Sequence, residues 1–224
     1  MKQDYAKLRE IMVASQIRPN RVTNPLLLKA LLSEPREAYL PDVLKPLAYI
    51  DGSIDLGIGF PTARGRYLMA PMVLAQLIQL ARPQPGESVL DVACATGYST
   101  AILSRLCQRV VGLEENAELA DFAAKALAQI GVKNARIVRG LHRAGAPQDG
   151  PFDLILFNGA IAEPPEAHFG QLAKGGRLVA ITENGVDYKA SVYEVIAGAP
   201  RRLTVFDASA PLLPGFERKP SFVF

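Results

Sequence analysis

The sequence predicts an α/β fold: a doubly wound, mainly parallel sheet preceded by an N-terminal helical extension. Three observations predict it. From residue 88 to 181, short apolar runs of strand length alternate with segments of helical length. The runs are continuous in apolar residues, as suits strands covered by helices on both faces. The first run ends in a carboxylate and a string of small residues before the next helix, the usual place for a ligand in an open α/β sheet.

The elements follow in order. Residues 4–16 read as an amphipathic helix with Leu8, Ile11, Met12 and Ser15 on one face. Asn24-Pro25 opens a second helix, because asparagine caps well and proline suits the first helical position. That helix should stop before Pro35. From Pro35 to Arg66 the prolines and glycines predict irregular structure with short strands. A long helix is expected over Tyr67–Leu80, then a turn through Pro83-Gln84-Pro85-Gly86.

Strands are expected at 88–92, 110–114, 135–138, 152–157 and 176–181, with later ones near 190–196 and 202–207. Between them fall helices over Tyr98–Cys107 and from the cap Asn116 to Ile130, stopped by Gly131. The chain reads as one domain, 1–224, made of the extension 1–66 and an α/β core 67–224.

Composition narrows the function. A length of 224 residues, half of them hydrophobic, is enough to bury a sizeable core. A net charge of +3 leaves no basic stripe interleaved with aromatics, so no nucleic-acid partner is expected. The densest basic cluster, Arg136, Arg139, His142 and Arg143, reads as a solvated loop. Two cysteines, Cys94 and Cys107, and two histidines show no metal-ligand spacing, so no metal is expected. The absence of a disulfide pattern, an apolar leader and an 18-residue apolar run predicts a cytoplasmic chain without a membrane partner.

Three expected strand ends carry chemistry. Asp91-Val92-Ala93-Cys94-Ala95-Thr96-Gly97 places a carboxylate before small residues that admit a ligand close to the backbone, then a helix start with free N–H groups. Glu114, about 20 residues further on, can accept from both hydroxyls of a ribose. Asn158-Gly159-Ala160 follows the fourth strand and would line the same cleft. The pyrophosphate pattern G-x-G-x-x-G is absent, and Asp91 suits a cation better than a phosphate. These features favour S-adenosylmethionine, which carries an ammonium and a sulfonium and no phosphate.

Val89 to Tyr98 resembles the first motif of class I, Rossmann-like methyltransferases. Met12-Val13 with Gln16-Ile17-Arg18, then Pro35-Arg36-Glu37, Tyr39-Leu40-Pro41 and Ala48-Tyr49-Ile50-Asp51, resemble the protein-L-isoaspartate O-methyltransferase family. Gly112-Leu113-Glu114, Pro151-Phe152-Asp153 and Gly175-Gly176-Arg177-Leu178-Val179 extend the likeness, which covers roughly residues 8 to 182. The resemblance implies transfer of a methyl group to the carboxylate of an isoaspartyl residue in a damaged protein or peptide. The ester would then close to a succinimide and reopen partly as aspartate. It also implies cofactor contacts at Asp91, Ala93, Ala95, Gly97, Glu114, Leu141 and Asn158.

The sequence departs from the family at three places. The family's reactive-site serine falls at Ala63 or Arg64, leaving Thr62 as a substitute hydroxyl and Arg64 or Arg66 as a clamp for a substrate carboxylate. The second glycine of the cofactor loop is Ala95, and an adenine-side aspartate is Leu141. Three functions therefore stand side by side: an isoaspartyl-type carboxyl methyltransferase, a methyltransferase for another substrate, and a non-catalytic binding protein on the same scaffold. The oligomeric state is not specified.

Overall fold

The computed structural model describes residues 3–218. Helix α1 (Tyr5–Met12), capped by Asp4, runs on into a π-helical turn (Val13–Ile17) and a 3-10 turn (Arg18–Asn20). The π turn re-phases the side chains. Met12, Val13 and Ile17 are buried, while Ile11 of the expected face is 47% exposed and Ser15 turns back to the Ile11 carbonyl. Helix α2 (Pro25–Ser33) starts as expected, with the Asn24 side chain accepting from Leu26 and Leu27 N–H.

The irregular stretch contains three 3-10 turns and strand β1 (Ile54–Asp55). This pairs antiparallel with β2 (Tyr67–Leu68), which corrects the expected helix start at Tyr67. Helix α3 is Pro71–Ala81. Pro71 fixes the first helical φ and holds Ala70 extended, so the helix cannot begin earlier.

The core follows as β3 (Ser88–Val92), α4 (Tyr98–Ser104), β4 (Arg109–Glu114), α5 (Ala117–Ile130) and β5 (Ala135–Arg139). After these come β6 (Phe152–Ile161), α6 (Glu166–Phe169), β7 (Leu172–Asn184), β8 (Asp187–Ile196) and β9 (Ala199–Asp207). The sheet order is β5-β4-β3-β6-β7-β8-β9. The first five strands are parallel and the last two antiparallel. The chain steps outward from β3 to β5 and then returns beside β3 as β6. The strand order therefore reverses between β3 and β6, where such sheets bind ligands.

Strand β6 runs past the expected end at 157 and takes in Asn158-Gly159-Ala160, with a register shift between Leu156 and Ala160. The extension exists because a distant segment covers it. Ala160 N–H donates to the Pro211 carbonyl (3.0 Å), and Leu213 N–H donates to the Ala160 carbonyl (2.8 Å).

One apolar cluster joins the N-terminal residues Ile17, Leu31 and Tyr39 to Leu74, Leu103 and Leu156 of the α/β core. Arg36, fully buried, ties the two parts together. Its Nε donates to the Ala48 carbonyl (2.8 Å) and its Nη2 to that of Met69 (2.7 Å), with the guanidinium 4.7 Å over the Tyr98 ring.

Candidate active site

Asp91 lies near the end of β3 with no solvent exposure. Helix α4 begins just beyond the loop and turns two adjacent hydroxyls onto it. Ser99 Oγ and Thr100 Oγ1 donate to Asp91 Oδ2 at 2.6 and 2.7 Å. Asn158 Nδ2 donates to Ser99 Oγ, so the hydroxyl links both sides of the switch point. Burial pushes the Asp91 carboxyl up to about 7 against the pull of the two hydroxyls. Its other oxygen, Oδ1, is buried without a hydrogen-bond partner among the described residues.

Glu114 ends β4 and is also fully buried. Oε1 accepts from Glu115 N–H (3.1 Å) and Asn116 N–H (3.0 Å). Oε2 accepts from Ala95 N–H (2.9 Å) and from Arg66 Nη2 (2.6 Å). Burial alone would raise this carboxyl, but the Arg66 guanidinium, His142 and the Asn116 N–H overcome it and hold it at about 2. His142 was expected in a solvated loop. It is instead buried, with Nε2 3.3 Å from Glu114 Oε1 and 3.0 Å from the Glu115 nitrogen. The β5–β6 connection folds it inward, which the local charge pattern hides.

The loop from Asp91 to Gly97 carries backbone strain. Ala93 (φ 59°) and Ala95 (φ 52°) both sit in the left-handed region, which costs an L-residue about 1–2 kcal/mol. Gly97 (φ 91°) is required by packing as well, since a Cβ there would lie 3.1 Å from Ala123 Cβ on α5.

The other expected site residues are placed as follows. Thr62 Oγ1 donates to Glu118 Oε2 (2.6 Å), and Asn116 Nδ2 donates to the Thr62 carbonyl (2.9 Å), fixing this segment to the start of α5. Arg64 is exposed. Leu141 is 66% exposed. Arg66 is the arginine that enters the site. Its Nη2 donates to the Ala93 carbonyl (3.0 Å) as well as Glu114, while Nε and Nη1 are buried without partners among the described residues. Sequence reasoning weighed Arg66 only as a substrate clamp and did not notice Ser99 and Thr100. Two successive hydroxyls at a helix start, facing a strand-end carboxylate, were the available signal.

A C-terminal strap, residues 211–216, covers the β6 side. Leu213 packs on Gly159 so closely that a Cβ there would fall 2.5 Å from it. Phe216 stacks edge-on against Phe157, with ring centres 5.6 Å apart. Arg143 Nη1 donates to the Gly215 carbonyl (2.8 Å). The space left between Gly65, Tyr67, Asn158 and Leu213 is about 10 Å³. A wider hollow of about 970 Å³ lies elsewhere, between Pro165, Phe169, Tyr193 and Arg202, and neither strand-end carboxylate lines it. Among the described residues no cluster of three acidic, histidine or cysteine side chains could hold a metal.

The donor set fits S-adenosylmethionine: Asp91 Oδ1 is an unpartnered buried acceptor for a cation, and Glu114 is an ionised acceptor at the next strand end. The Arg66 guanidinium lies on Glu114, 2.6 Å from Oε2.

Comparison with known proteins agrees with this geometry. The family described as Protein-L-isoaspartate(D-aspartate) O-methyltransferase matches residues 8–198. The chain is 36% identical over 175 residues to protein-L-isoaspartate O-methyltransferase 1 of Rhodopseudomonas palustris, covering 78% of this chain and 69% of that one. It is 35% identical over 176 residues to the enzyme of that name from Methylorubrum extorquens, covering 79% and 74%. Among solved structures, one described as protein-L-isoaspartate O-methyltransferase superposes with a TM-score of 0.76 at 22% identity, over 93% of this chain and 65% of that one. Another, a Plasmodium falciparum protein so described in complex with S-adenosyl-L-homocysteine, gives 0.73 at 19% identity, over 95% and 99%.

Proposed function

Because the chain belongs to the protein-L-isoaspartate O-methyltransferase family, we propose that it is a carboxyl methyltransferase acting on isoaspartyl residues of proteins or peptides. The observation that carries this reading is the pair of buried carboxylates, Asp91 and Glu114, at the ends of adjacent parallel strands beside the switch point.

Asp91 would hold the ammonium end of S-adenosylmethionine and Glu114 the ribose hydroxyls, with the Ala93–Gly97 backbone against the ligand and Asn158 bracing Ser99 from β6. The cofactor, when bound, supplies an electrophilic methyl group on a sulfonium. A substrate carboxylate oxygen would take that methyl group while the sulfur leaves as a neutral thioether, so no proton would have to move. The protein's task is therefore to position two partners and exclude water. The assignments of Asp91, Ala93, Ala95, Gly97, Glu114 and Asn158 to the cofactor side belong to this proposal. So do a role in protein repair, a cytoplasmic setting and action of residues 1–66 and 67–224 as one domain. Among the described residues no helix is long and apolar enough to cross a membrane.

The test is methyl incorporation from labelled S-adenosylmethionine into an isoaspartyl peptide and its matched aspartyl peptide. Labelling of the first alone supports the reading, and equal labelling of both overturns it. A second reading, transfer to another carboxylate, is favoured by segment 59–67, where Ala63 is buried, Arg64 is exposed and no serine is present. Labelling of a different acceptor in cell extract, with isoaspartyl peptide unlabelled, would select it.

A further inference from the structure

The buried Arg66–Glu114 pair is incomplete in an informative way. A guanidinium carries five N–H donors and is always charged. Among the described residues only Nη2 of Arg66 is used, on Glu114 Oε2 and the Ala93 carbonyl, while Nε and Nη1 are buried without a partner. An unmet buried donor is costly; Arg36 leaves one nitrogen unmet among the described residues, whereas Arg66 leaves two, and does so against a strand-end carboxylate. Glu114, by contrast, is saturated. Both of its oxygens accept two hydrogen bonds, three from backbone N–H groups and one from Arg66, and His142 Nε2 lies 3.3 Å from Oε1. On Oε2, a ribose hydroxyl donating to this carboxylate has one position to take without breaking the Ala95 backbone hydrogen bond, and Arg66 Nη2 holds it.

We propose that Arg66 is an intramolecular competitor for the nucleoside: its guanidinium occupies the ribose position on Glu114, and S-adenosyl ligands bind only when it withdraws. This rests on the reading of the site as a methyltransferase cofactor site and names the residue that sets that site's affinity. Withdrawal is feasible, since Glu114 keeps three backbone donors and Arg66 exchanges a half-met burial for water. Segment 59–67, which carries Arg66, is held at its middle by Thr62 on α5, so the arginine side chain can leave while the segment stays in place. Closed and open forms then share one fold, and apparent affinity is the intrinsic affinity scaled by the fraction open.

The experiment is calorimetric titration of S-adenosyl-L-homocysteine into the full chain, its Arg66→Gln, Arg66→Lys and Glu114→Gln variants, and the Arg66→Gln/Glu114→Gln double variant, each first checked for a cooperative thermal transition. Arg66→Gln is expected to bind at least tenfold more tightly than the parent, with Arg66→Lys between them. The gain should vanish in the Glu114→Gln background, where no carboxylate remains to compete for. A purely structural arginine would not produce that coupling. If Arg66→Gln does not fold, Arg66→Lys carries the comparison. Equal or weaker binding by the Arg66 variants, with a parent that binds in the micromolar range, overturns the competitor and leaves the cofactor reading standing. Failure of every variant to bind at millimolar ligand overturns both.

Discussion

Ser99 Oγ donates to Asp91 Oδ2 at 2.6 Å, joining the first turn of α4 to the end of β3 beneath the candidate cofactor loop. With Thr100 on the same oxygen, it leaves the buried carboxylate half satisfied: among the described residues one oxygen holds two donors and the other none. The pH dependence of the protein should follow from this asymmetry.

Burial pushes the Asp91 carboxyl from 3.8 up to about 7 in the folded chain. Over that interval the folded state holds a proton that the unfolded state has released. The stability from Asp91 is fully present below its unfolded value and lost as pH rises through about 7. Glu114 runs the other way, from 4.5 down to about 2, so its stability is present above 4.5 and lost on acidification. Thermal melting across pH should therefore peak in mildly acidic buffer, and Asp91→Asn should abolish the decline toward neutrality. A parent whose melting temperature rises steadily from pH 5 to 8, under roughly constant salt, would contradict this.

The same proton affects binding. A cationic ligand group needs Asp91 ionised, so S-adenosyl-L-homocysteine affinity should fall below about pH 7, by roughly tenfold per pH unit at the limit. Isothermal titration at a series of pH values reads it directly. Asp91→Asn should bind weakly and without that slope.

Ala95 holds a left-handed φ of 52° that glycine adopts freely. Ala95→Gly is expected to stabilise the folded chain by about 1 kcal/mol. Urea unfolding would show a raised midpoint at unchanged slope. A lowered midpoint would mean that the methyl group's packing outweighs the strain.

Gly159 lies under Leu213, where an added Cβ would sit 2.5 Å from that side chain. Gly159→Ala should lift the strap and cost about 1–3 kcal/mol by overpacking. Limited proteolysis should then cut within residues 211–216 faster than in the parent. Unchanged cleavage at a lowered stability would place the strain in β6 instead.

Arg36, fully buried, satisfies two backbone carbonyls, that of Ala48 in the extension and that of Met69 just before α3. Arg36→Met keeps the bulk and removes both donors, leaving the Ala48 and Met69 carbonyls unmet. A loss of about 2–5 kcal/mol is expected in chemical denaturation. A neutral result would show that water replaces the guanidinium.

The local sequence was enough for the order and type of the core elements. Continuous apolar runs, the Asn24 and Asn116 caps and the Gly131 stop act within a few residues, and α2, β3 and α5 begin or end where those signals lie. The two strand-end carboxylates were legible for the same reason, because Asp91 and Glu114 are fixed by their place in β3 and β4. Long-range packing determined the rest. Only the tertiary structure lays residues 211–213 on β6 and extends that strand past 157, since the partner lies some fifty residues away. It alone brings Arg66 rather than Arg64 onto Glu114 and buries His142, because which of several charged loop residues turns inward depends on the space the loops leave around a buried carboxylate.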